Sequence, residues 1–183
     1  RLGRFYAAQP NIKLRLDTNC AVIDLHQDAS VDLVIRYGFE PAGDLHGIRL
    51  FEEHFGVYGS PDQVARATQQ TPTLISVHWH NSELYALGWQ AWCEQAGEDW
   101  LQSAATIREY DDEHYALQAA IAGQGLVLAS SILVSESLAN GLLQPYRPQV
   151  SVPGAGYSVL CVPGRERHPS LKAFFDWLNR ETG

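Results

Sequence analysis

Three cysteines, Cys20, Cys93 and Cys161, stand in a chain of 183 residues that has no methionine at all. So few thiols, with no C-x-x-C spacing, exclude a disulfide framework and read as free thiols in a reducing cytoplasm. No apolar run approaches the length of a membrane span, which excludes a transmembrane helix and a membrane partner. Positive charge is scarce: 13 lysines and arginines against 21 acidic residues leave a net charge of −8. The basic residues are dispersed, whereas neutralising phosphates needs them clustered on one face, so this polypeptide does not itself grip nucleic acid. There is no initiator methionine and no signal peptide. Arg1-Leu2-Gly3-Arg4-Phe5-Tyr6 already reads as the middle of an amphipathic helix, so the sequence is expected to be part of a longer protein.

Catalytic patterns are missing too. No G-x-S-x-G elbow occurs; Tyr58-Gly59-Ser60-Pro61-Asp62 lacks the second glycine, and its serine suits a helix cap. No Cys/His pair, paired carboxylates or metal set has suitable spacing. The expectation is therefore no enzyme, no catalytic residue, no cofactor and no metal site.

What is present is an ordinary globular composition, 45% apolar, arranged as alternating strand and helix patterns. Ile12–Asp17 alternates apolar and polar residues and predicts a strand, followed by a helix from Cys20 to about Gln27 capped by Thr18 or Asn19. Asp32–Arg36 is a nearly continuous apolar run of the kind a parallel sheet buries on both faces. Ile48–Tyr58 is long and extended, and Ser60-Pro61 opens a helix. Further strands are predicted at Thr73–Val77, Ala104–Tyr110, Leu126–Ala129 and Tyr157–Val162. Helices are predicted at Ser82–Gln95, from Asp111 or Asp112 onward, after Ser131, and at Pro169–Arg180. Repeated strand-helix-strand units imply an α/β fold with mostly parallel sheets. The two extended stretches Ile48–Tyr58 and Tyr157–Val162 are placed to carry the chain from one lobe to a second and back, leaving a cleft between them.

Gly123 and Gly125 pose a choice. A dinucleotide loop runs strand, glycines, helix, so that the helix N-terminus faces the phosphate. Here the glycines follow a helix and precede a strand, and GQGLVL lacks a third glycine. That order predicts a helix C-cap at Gly123 and a tight strand entry at Gly125. Ser130-Ser131 then end the strand and start a helix, where they either cap it or meet a ligand through hydroxyls and free N–H groups.

The segment AAIAGQGLVLASSILVSESLANGLLQPY resembles the second lobe of LysR-type transcriptional regulators, and DLVIRYG resembles a first-lobe strand end of that family. WQAWCEQAG and AFFDWLNRE are similar to the branch of the glycine cleavage activator and the β-lactamase activator. The resemblance implies an effector-binding domain of two Rossmann-like lobes joined by two crossover strands, like type 2 periplasmic binding proteins. Lobe I would be residues 1–55 and 160–183 without its first strand, and lobe II residues 56–159. A winged helix-turn-helix, carrying the DNA contacts, would lie outside this chain. The implied function is a cytoplasmic ligand sensor that controls transcription and self-associates as a homodimer or tetramer. Ala21, Val22 and Leu25 are the apolar residues available for one contact face. A periplasmic-type solute-binding protein for an amino- or carboxylate-containing ligand is the alternative with the same fold.

Ligands of such folds sit at the carboxyl ends of parallel strands. The expected effector contacts are Thr18 and Asn19 after the first strand, and Arg36, Tyr37 and Gly38 after the next. Thr18 matches, by resemblance, a position that bonds the effector. Phe39 followed by Glu40 departs from the acidic residue that often follows the glycine, which makes the pocket more apolar. In lobe II the expected contacts are His78, Trp79 and His80, then Asp112 and Ser130. A zinc site at His78 and His80 would want two further ligands, for which Asp111, Asp112, Glu113 and His114 are candidates that nothing fixes nearby. A partly free aspartate would favour a ligand with an amino group. Tyr157 aligns, by resemblance, with an aromatic residue near the pocket.

Overall fold

The computed structural model describes residues 2–18, 21–39, 43–78, 88–103 and 105–182. The chain divides into two compact units, residues 1–51 with 155–183 and residues 52–154. It passes from unit 1 to unit 2 within the long strand β2 (His46–Gly59) and returns within β7 (Val152–Cys161). β2 contains the first extended stretch legible in the sequence, Ile48–Tyr58, whereas β7 begins five residues before the second, Tyr157–Val162, and the chain returns to unit 1 ahead of that stretch. Among the described residues no helix is long and apolar enough to cross a membrane.

Unit 1 holds α1 (Leu2–Ala8), β1 (Val34–Gly38), the outer parts of β2 and β7, and α6 (Pro169–Thr182). The 3.6-residue stripe of α6 puts Leu171, Phe174, Phe175 and Leu178 into one core with Phe5, Leu50, Val159 and Cys161. Phe5 meets Phe174 edge to face at 5.1 Å between ring centres. β1 pairs antiparallel with β7, from Val34 opposite Leu160 to Gly38 opposite Gly156. The apolar run there predicted a strand at Asp32–Arg36 buried in a parallel sheet. The observed strand starts two residues later, runs antiparallel, and leaves Ile35 52% exposed.

Two other expectations fail in unit 1. Ile12–Asp17 is no strand, although Ile12 and Leu14 do pack on the core. Alternation reports which side chains are buried and not whether the backbone finds a ladder partner. The helix expected up to Gln27 is absent over Ala21–Gln27, which form a bend and a turn. Asp24 closes this turn locally: its carboxylate accepts from His26 N at 2.9 Å and Gln27 Nε2 at 2.8 Å, offering the backbone a side-chain alternative to a helix start.

Unit 2 is layered. β3 (Leu74–Val77) lies between β4 (Ile107–Tyr110) and β5 (Leu126–Ser130), parallel to both. β5 pairs antiparallel with β2, which also carries the short β6 (Gln144–Tyr146). Alternation along β5 sends Leu126 and Leu128 to one core and Val127 and Ala129 to another. The first core is roofed by α3 (Trp89–Ala96), with Trp89, Trp92 and Trp100 clustered. The second is roofed by the alanine-rich face of α4 (Glu113–Ile121). Of the helix predicted at Ser82–Gln95, residues 82–87 lie outside the described ones. It stops as expected at Gly97, which is left-handed at φ 67°. Gly123 (φ 73°) likewise closes α4, and Gly125 (φ 155°) enters β5 so close to the Thr73 carbonyl that a side chain would collide. The helix expected directly after Ser131 begins later, as α5 (Ser135–Ala139), after a run of turns.

Candidate functional site

At the carboxyl end of β5, in unit 2, two carboxylates converge on one serine. Ser130 is 2% exposed and Glu53, on β2, only 1%. The Ser130 hydroxyl donates to Glu53 Oε2 at 2.6 Å, while the Ser130 N–H donates to Glu113 Oε1 at 2.8 Å. Glu53 Oε1 accepts from its neighbour His54 N at 3.0 Å and from the Ser131 hydroxyl at 3.1 Å. Among the described residues no lysine or arginine pairs with either carboxylate. Burial pushes the Glu113 carboxyl up to about 7; the Ser130 N–H opposes this, and the charges of Glu53 and Asp112 add to it. Burial and the Glu53 charge also raise the Tyr58 hydroxyl.

Asp112 is the N-cap of α4, accepting from His114 N at 2.7 Å. Next to it an open groove of about 770 Å³ runs along β4 and α4, lined by Glu109, Tyr110, Asp111, Asp112 and Tyr115 among others, none of them basic. His78 is exposed just past β3, and its N–H donates to the Tyr110 carbonyl at 2.8 Å. Trp79 and His80 lie outside the described residues, and among those described no group of three metal-ligating side chains forms.

The strand ends of unit 1 carry a different chemistry. Tyr37 and Tyr157 face each other across β1 and β7 at 4.9 Å between ring centres, and Phe51 adds a third ring 5.1 Å from Tyr157. The Tyr37 oxygen accepts from Ala155 N at 2.9 Å. Gly38 pairs with Gly156, whose missing side chain leaves room for the Arg49 guanidinium. Arg36 turns away to donate to the Ile23 carbonyl. Thr18 is exposed in a segment without regular structure. Asn19 and Glu40 lie outside the described residues. Thus Arg36, Tyr37, Gly38 and Tyr157 share one ribbon of unit 1, and Asp112 and Ser130 meet in unit 2 through Glu113.

The model of the LysR substrate binding domain matches residues 1–183. The chain belongs to this family. It is 28% identical over 186 residues to the HTH-type transcriptional regulator BlaA of Proteus vulgaris, covering 99% of this chain and 60% of that protein. It is 29% identical over 186 residues to the glycine cleavage system transcriptional activator homolog of Haemophilus influenzae, covering 97% and 58%. The chain thus spans about 60% of the length of the curated relatives it matches. Among solved structures, the effector domain of AmpR from Pseudomonas aeruginosa superposes with a TM-score of 0.73 at 24% identity, covering 100% of this chain and 86% of that one. The AmpR effector binding domain from Citrobacter freundii gives 0.74 at 21% identity, covering 99% and 88%. The α/β fold is therefore that of LysR effector-binding domains.

In this family member, sequence reasoning singled out Ser130 but missed what holds it. Glu53 carried a signal: on a two-residue period it shares a face of β2 with Phe55 and Val57, so a carboxylate stands at an inward position. Glu113 carried no such signal, since only tertiary packing brings α4 and the end of β5 together at Ser130. Ser130 does not cap α5, whose N-cap is Val134; its Oγ instead accepts from Ile132 N and Leu133 N, both at 3.2 Å, within the turn that follows β5.

Proposed function

We propose that this chain is the effector-sensing domain of a DNA-binding transcription factor of the LysR type, with its DNA contacts in a helix-turn-helix outside the sequence. The family match over the whole chain carries the reading, and the net charge of −8 agrees with a segment that does not itself hold DNA. The domain binds a small effector at its strand ends and does no chemistry on it. Its contacts are Thr18, Asn19, Arg36, Tyr37, Gly38 and Tyr157 from the residues of unit 1, and His78, Trp79, His80 and Asp112 from those of unit 2. It works in the cytoplasm as part of a homodimer or tetramer. Signalling requires the effector to bind two arrangements of the protein with different affinity; each tenfold difference is about 1.4 kcal/mol.

The test is a thermal-shift panel of amino acids, short peptides and small carboxylates on the chain. A ligand that binds only the folded state adds about 2.7 kcal/mol at a hundredfold excess over Kd. The expected result is a saturable shift from one ligand class that Tyr157→Phe or Thr18→Val weakens at least fivefold in Kd while leaving the unliganded Tm unchanged. A saturable shift that neither substitution alters counts against these contacts. A shift produced only by zinc counts against the sensor site as drawn.

A further inference from the structure

A strand-to-helix turn is where a fold commonly offers unused backbone N–H groups to an anion. At the carboxyl end of β5 they are all taken. Ser130 N donates to Glu113, Ser131 N to the His54 carbonyl at 2.9 Å, and Val134 N to the Ser130 carbonyl at 3.2 Å. Ile132 N and Leu133 N share the Ser130 oxygen. The two hydroxyl protons go to Glu53. Every hydrogen-bond donor of residues 130–134 is therefore engaged, and two of the acceptors are carboxylates delivered by β2 and by the first turn of α4. A bound anion would make the same bonds. Here the chain supplies its own.

We propose that Glu53 and Glu113 are specificity-determining residues: they occupy the place of an anionic ligand group at the end of β5, close it to carboxylate effectors, and select an effector whose group on this side is an N–H or O–H donor. This rests on the sensor reading above and names the ligand class for its unit 2 end. The second oxygen of Glu113 bonds to none of the described residues. The neighbouring groove adds Glu109, Asp111 and Asp112 without a basic residue in its lining. With Glu113 ionised, above about pH 7, a carboxylate arriving there meets like charge, whereas an ammonium meets charge-assisted partners.

The test removes the built-in carboxylate and offers a substitute. Glu113→Ala deletes the fragment that acetate replaces, so the Tm of this variant is expected to rise saturably with sodium acetate relative to sodium chloride at equal ionic strength. The native chain is expected to give the same Tm in both salts, as is Glu113→Gln, which keeps an acceptor for the Ser130 N–H. A native chain that takes acetate saturably overturns the proposal, and so does a Glu113→Ala chain that melts identically in both salts. If Glu113→Ala folds in neither salt, methylammonium chloride decides: it raises the Tm of the native chain more than that of Glu113→Gln, and an equal response overturns the proposal. None of these readings needs the effector, so failure here leaves the sensor reading to its own ligand panel.

Discussion

In unit 2 the end of β5 is built from serines and carboxylates bonded to one another. In unit 1 the end of β1 carries an arginine, a tyrosine and a glycine. The cores differ in the same way. Unit 2 fills both faces of a mixed sheet, with β3 parallel to β4 and β5 but β2 antiparallel to β5 and β6. Tryptophans fill one face and alanines the other, and the indoles of Trp89 and Trp92 each find a carbonyl, Ile75 at 3.1 Å and Val150 at 3.3 Å. Unit 1 gathers its aromatic residues into one cluster between α1, α6 and the strands, and the buried indole N–H of Trp177 has no acceptor among the described residues. The units also differ in regularity: unit 2 repeats strand and helix, whereas unit 1 runs through irregular segments over residues 9–18 and 21–33.

The largest expected effect tests whether the tryptophan layer is the keystone of unit 2. Trp92 is wholly buried, stacked at 5.7 Å on Trp100 and 6.1 Å from Tyr146. Trp92→Ala should cost about 3–5 kcal/mol, the usual range for emptying a large aromatic site. Urea unfolding followed by near-ultraviolet circular dichroism measures it. A loss under about 1 kcal/mol would mean that the layer collapses freely onto the gap and is not closely packed.

Legibility in the sequence follows the same division. Gly97, Gly123 and the stripe of α6 could be read because local chemistry alone decides them: a left-handed residue ends a helix, and a 3.6-residue period buries one face. Ile12–Asp17 and Ala21–Gln27 were misread because a strand needs a partner from elsewhere in the chain, and because Asp24 offered the backbone a competing bond. The candidate site was half legible. Residue types at strand ends pointed to Ser130, Asp112 and Tyr37, and the family resemblance pointed to Tyr157. The antiparallel register that sets Phe55 opposite Ser130, and so brings Glu53 beneath it, is a tertiary fact.

The carboxylates of unit 2 predict a pH dependence of opposite sign to that of the shifted carboxyls described in unit 1, Asp28 and Glu166, which are held low by hydrogen bonds. Glu113 faces Glu53 from β2, Asp112 from its own cap and Ser130 from β5, and its folded carboxyl titrates near 7, above the ordinary 4.5. A raised carboxyl favours the protonated folded state, so its contribution to stability is complete below about 4.5 and is lost as pH rises through about 7. The linkage amounts to about 3 kcal/mol across that window. Glu113→Gln should flatten this part of the stability curve, measured by urea midpoints over the range. An unchanged slope in the variant would assign the dependence to another group and remove Glu113 from the pair.

The smallest effect sharpens the comparison most directly, because it asks the same question of one indole in each unit. Trp92→Phe deletes an N–H that Val150 uses, and strands that carbonyl. Trp177→Phe deletes an N–H that is buried without an acceptor. Both lose similar ring area, so the difference isolates the polar term. Leaving a buried polar group unsatisfied costs about 1–3 kcal/mol, which Trp177→Phe relieves and Trp92→Phe creates. Trp177→Phe is therefore expected to stay within about 1 kcal/mol of the native chain and to be the milder of the two. Paired urea titrations give both values on one scale. Equal costs would show that Trp177 Nε1 finds a water or backbone partner in solution, and the contrast between the units would then reduce to packing alone.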